Sequence, residues 1–231
     1  MTGRPGARRV LLSWSSGKDS AWALRVLRQA GEDVVGLLTT FNEAADRVAM
    51  HAVRRSLVEA QADAAGLPLR SVGLPWPCSN EQYEARVDAE LRRAAAEGVT
   101  HVAFGDLFLE DVRAYREGQL EGTGLEPLFP IWHWPGGTAA LARAMIAGGV
   151  QAVLTCVDPA QLDPSFVGAS FDAGLLAALP EAVDPCGERG EFHTLCWAGP
   201  MFAKPLAVAV GERVLRDGFW FADVDFASAF G

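Results

Sequence analysis

Residues 9–20 read RVLLSWSSGKDS, a short apolar run that passes directly into a loop of small and polar residues. The apolar run predicts a buried strand. A helix is expected over residues 17–30, because Gly31 is a typical helix end. The same order recurs along the chain, since short β-branched or apolar runs alternate with stretches of helical period. This alternation predicts an α/β fold with a doubly wound, mostly parallel sheet.

Five parallel strands are predicted in that sheet. They are expected over residues 9–15, 34–41, 69–74, 99–104 and 151–157. After Asp158 the pattern weakens, and two terminal runs, 206–210 and 213–224, predict a hairpin that turns at Gly211-Glu212. The sequence therefore predicts a Rossmann-like domain over residues 1–158, with a small C-terminal α+β extension over residues 159–231 packed on it.

The composition narrows the classes of partner. The 231 residues carry a formal charge of −9 with an isoelectric point near 4.9, so a nucleic-acid backbone meets a repulsive mean field and is not expected as a partner. No apolar run approaches the roughly 18 residues that a membrane span needs, so no membrane association is expected. The four cysteines form no CxxC pair, which fits a reducing cytoplasmic location. The sequence leaves open whether the chain forms a homodimer.

The loop at residues 15–20 is composed of groups that bind anions. Gly17 allows a ligand to approach the backbone closely, and the N–H groups at the start of the predicted helix form an anion nest. Lys18 adds a positive charge, and the three serines of the loop supply hydroxyl donors. The loop therefore predicts a phosphate-binding site at the first strand–helix turn.

The loop has two other interpretations. A Walker A loop is excluded, because Leu12 stands where that motif needs glycine and Asp19 stands where it needs Ser or Thr. The second alternative is an ordinary helix N-cap, in which the serines cap the helix and Lys18 is merely solvated.

The same six residues resemble the PP-loop, SGGKDS, of the ATP pyrophosphatase superfamily, with Ser16 in place of the first glycine. The resemblance implies a Rossmann-like domain of the HUP type that uses ATP and Mg²⁺. It also implies that the loop holds the pyrophosphate that leaves when a carboxylate or carbonyl oxygen attacks the α-phosphate. The implied nucleotide-binding residues are Ser13, Ser15, Ser16, Gly17, Lys18, Asp19, Ser20, Thr39 and Gly105.

Three further segments resemble the diphthine–ammonia ligase family. They are RVAMH at residues 47–51, FGDLFLED at residues 104–111 followed by Arg113, Tyr115 and Arg116, and DPCGERGEFHT at residues 184–194. The resemblance implies an ATP-dependent ligase that joins a carboxylate and ammonia into an amide through an acyl-adenylate, with AMP and pyrophosphate as products. The implied partners are ammonia and a small-molecule or protein carboxylate.

The remaining site residues follow from these segments. Asp106 ends the fourth predicted strand, where its carboxylate could hold Mg²⁺ together with Asp19, or could instead cap the next helix. Glu188 and Glu191 lie in a glycine-flanked turn, where two carboxylates could hold or deprotonate ammonium. Catalysis is assigned to Lys18, Asp106, Glu188, Glu191 and His193. Substrate binding is assigned to His51, Arg113, Cys186, Gly187, Glu188 and Thr194.

Some of these assignments have structural alternatives. Arg113 and Glu117 are four residues apart and could form a solvated ion pair on a helix. Cys186 could be a buried structural thiol, and Cys186 with His193 is too small a set for a zinc site. Three tryptophans near prolines are expected to close sheet edges rather than to line a pocket: Trp76, Trp132 and Trp134.

Two rival functions and the identity of the acceptor stay open. A tRNA-modifying PP-loop enzyme would need paired cysteines and a basic surface, and the sequence offers neither. An ATP-binding sensor without turnover would leave residues 184–194 without a purpose. The resemblance implies diphthine as acceptor. The Arg-, Ala- and Gly-rich composition, however, is typical of a GC-rich bacterial genome, for which a small carboxylate such as a corrinoid side chain is expected.

Overall fold

The computed structural model describes residues 8–48 and 53–227. The predicted substrate-binding residue His51 lies outside these ranges. The described chain forms two sheets, the first interleaved with helices and the second antiparallel.

The first sheet contains β1 (Arg9–Ser13), β2 (Asp33–Asn42), β3 (Arg47–Val48), β4 (Leu69–Leu74), β5 (His101–Ala103) and β6 (Glu126–Leu128). Its five parallel strands lie in the order β4–β2–β1–β5–β6, and β3 pairs antiparallel with the end of β2. The helices that accompany it are α1 (Lys18–Gln29), α2 (Arg55–Ala65), α3 (Asn80–Ala96), α4 (Glu110–Leu120) and α5 (Gly137–Ala147).

β1 occupies the centre of this sheet, between β2 and β5. Its side chains alternate between two buried apolar clusters, with Val10 and Leu12 in one and Leu11 in the other. Both faces of the strand are therefore covered, which is why its sequence is a continuous apolar run rather than an alternating one. The predicted doubly wound, mostly parallel α/β fold is confirmed.

The identity of the fifth parallel strand was predicted wrongly. The strand at the edge beside β5 is β6, whereas β7 (Gln151–Val157) belongs to the second sheet. Pro127 lies inside β6 and hid the strand, since proline is tolerated in a sheet at an edge such as this one. The apolar run of β7 marks a buried strand but carries no information about which neighbours it pairs with.

The second sheet has the order β8–β7–β10–β9, with β8 (Phe192–Ala198), β9 (Val208–Arg216) and β10 (Phe219–Phe226). A short 3₁₀ helix (Pro164–Phe166) and α6 (Ala173–Ala178) lie between β7 and β8. The second sheet thus includes a strand from the N-terminal side of residue 158, and the domain boundary placed there stays a prediction. Within the described ranges, no helix combines the length and the apolar character that crossing a bilayer requires.

A terminal hairpin forms, but its strands differ from the predicted runs, 206–210 and 213–224, and its turn does not lie at Gly211-Glu212. The chain reverses at Asp217 and Gly218, which have φ values of 49° and 86°. A two-residue hairpin turn of type I′ has positive φ at both central residues, and Asp-Gly is among the pairs that adopt this conformation most readily. Gly211 instead stays within β9.

Replacing Gly218 with alanine should therefore destabilise the protein by roughly 1–2 kcal/mol, the cost of placing a side chain in the left-handed region. The matched control is Gly118→Ala in α4, where an added methyl group meets nothing within 4 Å. That change should stabilise the protein by up to about 1 kcal/mol, since alanine is the better helix former. Urea unfolding of both variants measures the difference, and equal free energies of unfolding would contradict the turn assignment.

Candidate active site

The PP-loop-like segment lies between the carboxyl end of β1 and the start of α1. Gly17 is the N-cap of α1 and, as glycine, has no side chain with which to cap it. The Thr194 hydroxyl from β8 accepts a hydrogen bond from the Lys18 N–H at 3.1 Å. The lysine itself is only 2% exposed. Neither part of the ordinary N-cap alternative holds, because no serine caps the helix and the lysine is not solvated.

Ser16 adopts the left-handed conformation, with φ of 70°. This is the backbone geometry that favours glycine, the residue that the PP-loop pattern has at this position. The side-chain hydroxyl of Ser16 is buried and has no hydrogen-bond partner in the described part of the chain. The serine therefore keeps the turn but carries a conformational cost and an unsatisfied polar atom.

A buried glutamine, which the sequence analysis did not identify, holds this turn in place. Gln61 of α2 is fully buried, and its side-chain NH₂ donates to the Ser16 carbonyl at 3.0 Å and to the Cys196 carbonyl at 2.6 Å. Its side-chain oxygen accepts from the Trp14 indole N–H at 2.9 Å. Gln61 thereby ties the loop to β8. No sequence signal marked it, because its partners are distant in the chain.

Two glycines allow the elements around the loop to approach each other closely. A side chain at Gly105 would place its Cβ 3.0 Å from the backbone nitrogen of Ser20, and one at Gly17 would place it 3.2 Å from the Thr194 carbonyl oxygen. The segment after β5 and the start of β8 therefore both contact the loop directly. This contact brings Asp106 and residues 184–194 to the same cleft.

Lys18 connects the loop to the second sheet. Its ammonium group donates to the Asp19 carboxylate at 2.8 Å and also to the Cys186 carbonyl, and lies 5.4 Å from the ring centroids of both Phe171 and Phe192. Burial lowers the pKa of this amine, but the charge of Asp19, the hydrogen bond to it and the nearby acidic groups of Cys186 and Glu188 together outweigh that effect, and the pKa is raised overall. Lys18 is therefore a fixed positive charge at the wall of the cleft.

The turn at residues 184–191 is built around two carboxylates. Asp184 accepts from the Cys186 N–H at 2.8 Å and from the Thr138 hydroxyl at 2.6 Å. Glu191 accepts from the backbone N–H groups of Asp184 at 2.8 Å and Arg189 at 2.9 Å, one on each oxygen. Glu191 is buried and does not line the cleft, and both of its carboxylate oxygens stabilise the turn. Its assignment to catalysis stays a prediction.

Glu188 extends from this turn into the cleft. Its carboxylate accepts from the Leu107 N–H at 2.7 Å. Burial, with smaller contributions from the nearby carboxylates of Asp19 and Asp106, raises the pKa of Glu188 to about 7. At neutral pH the group exchanges a proton readily, as a general base must.

His193 responds to the same burial in the opposite sense. Burial, with a smaller contribution from the charge of Lys18, lowers the pKa of His193 to about 4, so the imidazole is neutral near pH 7. Burial likewise raises the pKa of the Cys186 thiol, which donates a hydrogen bond to the Thr138 carbonyl at 3.4 Å. The thiol is therefore a structural group, and Cys186 contributes to the site through its carbonyl oxygen.

These elements enclose a cleft of about 190 Å³. The predicted residues that line it are Ser13, Ser15, Lys18, Asp19, Ser20, Gly105, Asp106, Cys186, Gly187, Glu188, His193 and Thr194. An adjoining cavity of about 260 Å³ shares Ser13, Ser15, Phe104 and Arg116 with the cleft and is otherwise largely apolar. Thr39 lies on the wall of this second cavity, where its hydroxyl donates to the Trp14 carbonyl at 2.7 Å.

Of two neighbouring arginines on α4, the one predicted to bind substrate does not line the cleft, and its assignment stays a prediction. Arg113 forms the ion pair with Glu117 at 2.8 Å, stacks on Phe129, and does not line the cleft. Arg116, three residues further along α4, lines both cavities and contacts the Asp106 carboxylate at 3.3 Å. Helical spacing alone could not show which of the two faced the sheet.

The carboxylates of the cleft are compatible with a bound Mg²⁺ ion. Asp19 Oδ1 is buried and lacks a hydrogen-bond partner among the described residues, so it could accept a cation or a donor there. Asp106 lines the same cleft. Two carboxylates supplemented by phosphate oxygens and water suit Mg²⁺. No group of three or more His, Cys, Asp or Glu side chains in the described ranges is placed to bind a metal by itself.

The replacement Gln61→Leu should destabilise the protein by roughly 1–3 kcal/mol, because it leaves the buried Trp14 indole N–H without its acceptor and removes one donor from each of the Ser16 and Cys196 carbonyls. Gln161→Leu is the matched control, since its exposed side chain bonds only to Asp158. We expect that control to change stability by less than about 0.5 kcal/mol. Thermal and urea unfolding measure the stability of both variants. An equal loss of stability in the two would argue against the anchoring role of Gln61.

Comparison with known proteins agrees with this geometry over most of the chain. A family model described as the diphthamide synthase N-terminal domain matches residues 8–126, and the model of the diphthamide synthase C-terminal domain matches residues 138–228. No match was found among the curated proteins. With the loop, the cleft and both family matches in agreement, the chain belongs to the diphthamide synthase family, also called the diphthine–ammonia ligase family, of the PP-loop superfamily.

Proposed function

We propose that this PP-loop enzyme joins a carboxylate to ammonia, cleaving ATP to AMP and pyrophosphate. The observation that carries the proposal is the shared cleft, in which Lys18 and the loop hydroxyls face Glu188 and His193. One wall offers donors and a fixed positive charge for phosphate, and the other offers a carboxylate able to take up a proton. An ATP-binding sensor would have no need of the second wall.

The nucleotide is proposed to span the two adjoining cavities. The apolar cavity beyond Phe104 and Thr39 has the lining expected for a nucleoside, and the cleft beside Lys18 has the groups expected for phosphates. Bound Mg²⁺, held by Asp19 and Asp106, would neutralise phosphate charge. Lys18, the serine hydroxyls and the N-terminus of α1 would stabilise the negative charge that develops on the departing pyrophosphate.

Amide formation then needs a proton acceptor. The acceptor carboxylate attacks the α-phosphorus, the bond from that phosphorus to the bridging oxygen of pyrophosphate breaks, and an acyl-adenylate results. Ammonium transfers a proton to Glu188, the lone pair of ammonia attacks the acyl carbon, and AMP leaves with the electron pair of the broken C–O bond. After the transfer, the nitrogen loses one more proton to solvent and the neutral amide results. His193, neutral at this pH, would orient the acyl group by hydrogen bonding.

The proposal is tested by measuring pyrophosphate release with ATP, ammonium and a panel of carboxylates. Lys18→Met should lower the rate by roughly 10²–10³-fold, the usual cost of removing one group that stabilises transition-state charge. Lys204→Met is the matched control, because Lys204 is the second of the two lysines of the chain and is exposed. Wild-type turnover by a folded Lys18→Met variant would refute the role of the loop.

The pH dependence of turnover should follow the protonation of Glu188. Because the pKa of Glu188 is about 7, the carboxylate form falls as the pH drops through 7, and turnover should fall with it. Glu188→Gln keeps an oxygen to accept from the Leu107 N–H but cannot take a proton, so we expect a flat profile and a rate reduced by about 10²-fold or more. Exposed Glu181→Gln should keep the wild-type profile. An unchanged profile in Glu188→Gln would assign the base elsewhere.

A further inference from the structure

A third cavity, of about 570 Å³, lies between the two sheets and is larger than either of the two cavities assigned to the nucleotide. Its floor comes from the second sheet. His193 of β8 pairs with Cys156 of β7, and Cys156 pairs with Phe221 of β10. Directly paired residues of antiparallel strands project to the same face, so these three side chains form a row across the sheet.

A second row extends this floor. Phe219 lies two residues before Phe221 and therefore on the same face of β10, and it pairs with Arg216 of β9. All five of these residues line the cavity. The floor is thus apolar and aromatic along its middle, with a neutral imidazole at one end and an exposed guanidinium at the other.

The opposite wall comes from the first sheet. It consists of the β2–β3 hairpin, with Ala44 and Ala45 at its turn, and of the segment that follows β4. Trp76 in that segment is 70% exposed, so the expectation that it closes a sheet edge is wrong and its ring stands at the cavity rim. An indole that is left in water beside an apolar cavity is an uncommon arrangement for a side chain that gains so much from burial.

His193 lines both this cavity and the phosphate-side cleft. A molecule in the third cavity therefore has one end at the wall of the cleft in which Lys18 and Glu188 lie. The body of that molecule would contact Phe219, Phe221 and Trp76. Arg216 at the rim offers a positive charge for a polar or anionic group, although Asp217 beside it reduces the local field.

We propose that this cavity binds the acceptor, and that the acceptor is a small organic carboxylate with a bulky apolar or aromatic body. The inference rests on the proposed function and narrows its substrate class. The carboxylate end would lie at His193, facing the cleft, and the body would fill the space between the sheets. A volume of about 570 Å³ falls within the range of small-molecule sites, and the mostly apolar lining suits such a body.

The probe for this proposal is 1-naphthaleneacetate, a carboxylate on an aromatic body, with acetate as the comparison. Calorimetric titration should show binding of 1-naphthaleneacetate and at least about tenfold weaker binding of acetate. Ala45→Trp places a large side chain at the cavity wall and should weaken binding of 1-naphthaleneacetate at least about tenfold, while Trp76→Ala should weaken it by a smaller factor.

Ala209→Trp is the matched control, since Ala209 is exposed on β9 and does not line the cavity. It should bind 1-naphthaleneacetate as the wild type does. Thermal unfolding checks that each variant is folded. Equal affinity of folded Ala45→Trp and wild type for 1-naphthaleneacetate, or equal affinity of the wild type for acetate and 1-naphthaleneacetate, would overturn the proposal.

The binding measurement involves no turnover, so it separates this inference from the proposed function. With a carboxylate that supports pyrophosphate release, 1-naphthaleneacetate should raise the KM for that carboxylate and leave the KM for ATP unchanged. Competition with ATP instead would overturn the assignment of the cavity. If no carboxylate in the panel supports pyrophosphate release, the ligase proposal fails while the calorimetric result still decides whether the cavity binds this class of molecule.

Discussion

The arrangement of the site depends on one buried charge, the ammonium group of Lys18. A buried ammonium is costly unless it is paired and hydrogen-bonded, and here the Asp19 carboxylate, the Cys186 carbonyl and two aromatic rings surround it. Asp19 belongs to the loop, whereas Cys186 belongs to the turn before β8. Separating the loop from this turn would leave a buried charge with fewer partners. The lysine therefore fixes the geometry of the cleft as well as its charge.

The same desolvation gives the two titratable groups of the cleft different roles. Burial favours the neutral form of each, so the pKa of Glu188 rises to about 7 and the pKa of His193 falls to about 4. Near neutral pH the carboxyl group can exchange protons, while the imidazole stays uncharged and can only donate or accept hydrogen bonds. A fixed cation, a proton acceptor and a neutral hydrogen-bonding ring thus line one small cleft.

The cavities divide according to polarity around His193. Charged and hydroxyl groups surround the cleft beside the loop, and aromatic and aliphatic side chains surround the space between the sheets. The first sheet contributes the strand ends where a doubly wound fold binds its ligand. The second sheet contributes Phe219 and Phe221 to the other cavity. The composition of each cavity follows from the sheet that forms most of it.

Several features could be predicted because they depend on neighbouring residues. The strand, the loop and the start of α1 follow from residues 9–20, since apolar runs, glycine and a lysine act locally in the chain. Most of the predicted residues of the cleft also lie together, because the carboxyl ends of parallel strands meet at one edge. The preference of Asp-Gly for a hairpin turn is equally local, although the sequence analysis placed the turn at Gly211-Glu212 instead.

Other features were decided only by the tertiary structure. Nothing in the sequence of β7 indicated whether it would pair with β5 or with β8 and β10, because pairing partners depend on long-range packing. The same holds for Gln61, whose three partners are distant in the chain, and for Arg116, which differs from Arg113 only in the direction it faces. Residue type and spacing therefore reveal local conformation and the chemistry available. Which buried polar groups meet is set by how the two sheets pack together.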